Sequence, residues 1–157
     1  MSEHIKLIAR KLLHLERMRA YLAYSYGKVR PLMPIDDWLS LTPEHHEALA
    51  AYRVRFSDFQ EQLGKAMRAI TIEEEQATEP YTTVLLYMEK LAIIDSAMHW
   101  KELRELRNAI NHEYEENGER LSQCFLELVQ ATPHLFDWHD RLNAFCKEHY
   151  GIRVQGV

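Results

Sequence analysis

Residues 42–70 read TPEHHEALAAYRVRFSDFQEQLGKAMRAI, and this stretch decides the fold class. Leu49, Tyr52, Phe56, Phe59, Leu63 and Met67 recur at steps of three and four residues, the spacing that lines one face of an α-helix. Thr42 offers a hydroxyl to cap the first turn, and Pro43 brings the fixed φ that suits the first helical position. The same periodicity extends outward on both sides. Upstream, Ile5, Ile8, Leu12, Leu15, Met18 and Leu22 predict a helix over about 3–26, closed by Gly27, Pro31 and Pro34. Downstream, Pro80 opens a third helix with Val84, Tyr87, Met88 and Leu91 as its buried face. Asp95 and Ser96 are candidate caps for a fourth over 97–116, ended by Asn117-Gly118. The remainder reads as a helix over 119–130 and another capped by Thr132-Pro133 and closed by Gly151. Short links between long amphipathic helices predict an all-α, up-and-down antiparallel bundle of five to six helices, one domain over 1–157.

Composition agrees. Hydrophobic residues make up 46% of 157, enough for a core without staples, and glycine and proline occur only five times each. Cys124 and Cys146 fit no metal-ligand spacing, and so few cysteines point to reduced thiols in a cytosol. The opening MSEHIKLIARK carries charges throughout, unlike a signal peptide, and no stretch reaches the roughly 20 apolar residues of a spanning helix. A soluble, cytoplasmic protein is expected. The net charge of −5 argues against a surface that coats nucleic acid everywhere, while leaving room for a local basic cleft.

Chemistry concentrates in residues 103–114, LRELRNAINHEY. At 100° per residue, Leu103, Leu106 and Ile110 form the apolar stripe, and Arg104, Arg107, Asn108, Asn111 and His112 form a polar arc beside it. Tyr114 follows Arg107 by seven residues and lies nearly in line with it. Cleaving an RNA phosphodiester needs a proton acceptor for the ribose 2′-hydroxyl, a task for imidazole. It also needs a fixed cation against the charge that builds on phosphorus, a task for guanidinium. Asn108, four residues before His112, is placed to orient its ring. Singly, each residue has an ordinary alternative: Arg107 as partner of a neighbouring carboxylate, Tyr114 as a boundary aromatic. An Arg followed by a His after four to six residues should occur about 2 times by chance in this composition. Fixing the gap at four and requiring Tyr two further on lowers that to about 0.03, so the constellation carries the signal.

The run RNAINHEY, residues 107–114, resembles the R-x4-H-x-Y signature of HepT-like proteins in the HEPN superfamily. The likeness extends over about 80–128, through Pro80-Tyr81, Met88, Leu91 and Ile94. Asn111 departs from the apolar residue, often valine, that usually precedes the histidine. The resemblance implies a homodimer with the motif helix at the interface and a shared cleft in which Arg107 and His112 cut RNA without metal or other cofactor. It implies a supporting role for Asn108, and Arg104, in the same polar arc, is a further candidate for support. It further implies a nucleotidyltransferase antitoxin that silences the toxin by adenylylating Tyr114. The alternative is a non-catalytic, nucleotidyltransferase-associated binding module on the same scaffold. His134, Asp137, His139 and Asp140 lack the spacing of a helical metal site, His134 and His139 being about 140° apart around the axis. Trp38, Trp100 and Trp138 read as core or interface anchors.

Overall fold

The computed structural model describes residues 2–113 and 117–154, and its regular structure is all helical, with no strand among the described residues. Five helices form: α1 (Glu3–Val29), α2 (Pro43–Glu73), α3 (Tyr81–Lys90), α4 (Ala97–Glu113) and α5 (Gly118–Tyr150). Ser2 caps α1 by accepting from the Ile5 N–H at 3.1 Å. Thr42 caps α2 as the sequence predicts, its hydroxyl accepting from the His45 N–H while His45 Nδ1 accepts from the Thr42 N–H.

Cross-links between helices fix their directions. His4 lies beside Glu73, and Arg55 donates to Ser25 Oγ at 2.7 Å, so α1 and α2 are antiparallel. Arg19 meets Asp140 while Asn143 donates to Glu16 at 2.8 Å, so α5 also opposes α1. Trp138 and Arg141 reach back to Asp95, which sets α4 antiparallel to α5. The result is a bundle of four long helices with α3 as a short brace. Its core joins Leu12, Leu15, Leu22, Phe56, Phe59, Leu63, Met88, Ile110, Phe125, Leu128, Trp138 and Leu142, all fully or almost fully buried. Each such side chain contributes about 1.5–3 kcal/mol by leaving water. No described helix is long and apolar enough to cross a membrane.

Two boundaries differ from the sequence reading. Gly27 does not end α1, which runs on to Val29 and closes at a 3₁₀ turn containing Pro31. The break expected at Thr132-Pro133 is absent: α5 passes through Pro133 as one helix of 33 residues. Thr132 does not cap a new helix, because its buried hydroxyl donates to the Leu128 carbonyl at 2.9 Å and accepts from the Tyr52 phenol. Leu128, Leu135 and Trp138 bury on either side of the proline, and that continuous face outweighs the local propensity to stop. Gly151 does close α5, with φ +68° and the Ile152 N–H returning to the Cys146 carbonyl at 3.2 Å. The expected extension of α4 through 114–116 lies outside the described residues.

Candidate functional site

The orientation of α4 is set from its first turn. Ser96 Oγ accepts from the His99 N–H at 3.0 Å, and Glu89 of α3 accepts from the Ala97 N–H at 2.8 Å. Ser96 is therefore the cap, and Asp95 instead binds α5. Trp100, Leu103 and Ile110 are buried and Leu106 is half-buried, so the apolar stripe faces the bundle as its periodicity requires. The polar arc is left along the outer edges.

Within that arc the contacts are specific. Arg107, half-buried, donates from Nη2 to Asn108 Oδ1 at 3.3 Å. No hydrogen bond joins Asn108 to His112; the Asn108 contact is the one to the Arg107 guanidinium. Asn111 accepts from Arg53 Nη1 of α2 at 2.8 Å, which gives the asparagine at this position a partner that an apolar residue could not take. His112 is exposed in the last described turn of α4 and makes no hydrogen bond or ion pair with another described residue. Tyr114 lies outside the described residues.

Arg104 and Arg107 turn toward α2 and line a pocket of about 300 Å³ with Gln60, Glu61, Gly64, Lys65 and Arg68 of α2, Tyr81 of α3 and Trp100. Tyr81 donates to the Gly64 carbonyl at 2.7 Å. A Cβ at Gly64 would lie 3.0 Å from that phenolic oxygen and 3.3 Å from Trp100 Cζ2, so glycine permits this close approach of α2, α3 and α4. Burial pushes the Tyr81 phenol up, opposed by the positive charges of Arg104 and Arg68. Lys65 pairs with Glu61 at 3.5 Å and Arg68 with Glu79 at 3.0 Å. Arg104 and Arg107 have no carboxylate at ion-pair distance among the described residues. Two guanidiniums one turn apart, without acidic partners, suit a phosphate group.

Sequence reasoning missed the contribution of α2. Arg53, Ser57, Gln60, Gly64 and Arg68 are spaced by four, three, four and four residues, a second stripe beside the apolar one. A polar stripe on a helix already assigned to the core was the available signal.

The histidines of α5 separate as predicted. His139 is buried against α1, whereas His134 packs against His99 of α4, ring centroids 4.6 Å apart. Asp95, His99 and His134 do bring potential ligand atoms within 4.8 Å of one another. The Asp95 carboxylate is held there by Trp138 Nε1 at 3.3 Å and Arg141 at 2.9 Å, a network that ties α4 to α5.

No protein-family model, no curated protein and no solved structure matches this chain.

Proposed function

We propose that this chain is a metal-independent endoribonuclease of the HEPN type, a HepT-like toxin acting as a cytoplasmic homodimer. Arg107 stabilises the charge that develops at phosphorus and His112 acts as the proton acceptor. Arg104 and Asn108 support them, and a cognate nucleotidyltransferase antitoxin silences the site by adenylylating Tyr114. The observation that carries this reading is the pair of guanidiniums, Arg104 and Arg107, on the same edge of α4 and without acidic partners among the described residues, in a chain whose net charge is −5. A localised cationic patch on an acidic protein marks a place for a polyanion.

The test is cleavage of a structured RNA by the purified chain. His112→Ala and Arg107→Ala should each lower the rate by about 10²-fold or more while leaving the melting temperature nearly unchanged, since neither side chain is buried. A chelator should have no effect. Cleavage by the His112 variant at the wild-type rate, or loss of wild-type activity with chelator, refutes the assignment. The second reading, a binding module attached to a nucleotidyltransferase, draws on the His112 ring having no partner among the described residues to orient it. RNA binding without cleavage would select it.

A further inference from the structure

Gln60 of α2 is 1% exposed, and neither its amide nitrogen nor its amide oxygen has a hydrogen-bond partner among the described residues. A buried amide with both ends unpaired costs folding stability, and an apolar side chain of similar shape would avoid that cost. The position is not arbitrary. Gln60 lies at the pocket lined by Arg104, Arg107 and Arg68, with Tyr81 and Trp100 as its aromatic walls. A donor and an acceptor on one planar group match the edge of a nucleobase, which presents the same pair in complement. The guanidiniums match a phosphate. The volume, about 300 Å³, falls at the lower end of the range for small-molecule pockets and leaves room beside a phosphate for a ribose and base.

We propose that this pocket is a mononucleotide subsite, taking a phosphate on Arg104 and Arg107 and a base edge on the Gln60 amide. Its RNA role, holding the nucleotide next to the one that is cut, rests on the ribonuclease reading, because Arg107 belongs to both places. Binding of a free nucleotide does not depend on that reading.

The experiment titrates nucleoside 5′-monophosphates, the corresponding nucleosides and inorganic phosphate into the full chain, followed by calorimetry and by tryptophan fluorescence, Trp100 being part of the wall. Monophosphates should bind at least tenfold more tightly than either nucleoside or phosphate. Gln60→Leu should weaken the monophosphate about tenfold or more and raise the melting temperature by about 2–4 °C. Should that variant fail to fold, Arg104→Gln, at a half-buried position, should show the same loss of affinity. Inorganic phosphate binding as tightly as the monophosphates overturns the subsite. So does a Gln60→Leu chain that binds like wild type, or no binding at millimolar nucleotide. RNA cleavage with no nucleotide binding defeats this proposal alone. Nucleotide binding with no RNA cleavage upholds the pocket and defeats the ribonuclease reading.

Discussion

Lowering the pH from 7 to 5 should weaken the fold through one residue, His139. Its ring is fully buried between α5, α1 and α2, with Phe59 edge-on at 5.4 Å between ring centroids. Arg19 Nη1 lies 3.0 Å from Nδ1 and can only donate, so the neutral ring accepts there, while Nε2 faces the Asn143 amide nitrogen at 3.3 Å and Glu16 Oε1 at 3.5 Å. Burial, and then the Arg19 charge, push His139 down from the usual 6.5 to about 4, with Asp140 opposing. Glu16 also favours the protonated ring, yet Arg19 is closer and would face a second cation. Because the folded pKa is depressed, the unfolded chain takes up the proton first as pH falls. The contribution is fully present above about 6.5 and is lost between there and about 4.

The loss amounts to about 2 kcal/mol at pH 5 and about 3 kcal/mol below pH 4. For a domain of this size, 2 kcal/mol corresponds to a drop of about 4–8 °C in melting temperature. Other groups titrate over the same range, so the assay compares wild type with His139→Asn, which keeps an acceptor near Arg19 and removes the titration. Urea unfolding at pH 7, 6 and 5 should show the variant losing about 2 kcal/mol less than wild type across that interval. Equal pH dependence in the two proteins refutes the argument, whatever their absolute stabilities.

Pro133→Ala should stabilise the chain by about 1–3 kcal/mol, because the position is exposed mid-helix and alanine restores a backbone donor; unchanged or lower stability in thermal melts would refute that cost of the proline. Tyr114→Phe should retain RNA cleavage yet escape the antitoxin, and intact mass spectrometry after co-expression should find AMP mass on wild type only; modification of the Phe variant rejects this site. Light scattering at micromolar concentration should give the mass of a dimer, and a monomer alone would reject the shared cleft.

Much of the bundle was legible because its helices carry their apolar residues in register. The α2 stripe from Leu49 to Met67 and the α4 stripe of Leu103 and Ile110 are both buried as the spacing predicts. Thr132-Pro133 was misread for a tertiary reason. Local propensity says stop, whereas the bond to Tyr52 comes from 80 positions away and the burial of Leu128 and Leu135 is decided by packing on other helices. The site divides in the same way. Arg104, Arg107, Asn108 and His112 were named from one helix, where angular position is computable. Gln60, Lys65 and Arg68 were not, because no pattern within α4 indicates which helix will lie against it. Asn108 was placed beside His112 by spacing, yet spacing does not rank competing donors, and Arg107 is the adjacent one.

The geometry of α4 bears on why the proposed chemistry calls for two chains. Arg107 and His112 are five residues apart, about 140° around the axis and about 7.5 Å along it. In keeping with that angle, Arg107 turns toward α2 and the pocket it lines with Arg104, while His112 stands exposed near the helix end. A guanidinium and an imidazole so directed cannot flank one phosphate on a single helix, and around the exposed His112 the solvent dielectric weakens electrostatic stabilisation. A second α4 related by a two-fold axis would relieve both problems. It would set the Arg107 of one subunit against the His112 of the other and exclude water between them. The five-residue spacing that looks awkward for one helix is then what a symmetric pair of helices requires, and the proposed dimer is a condition of the proposed chemistry.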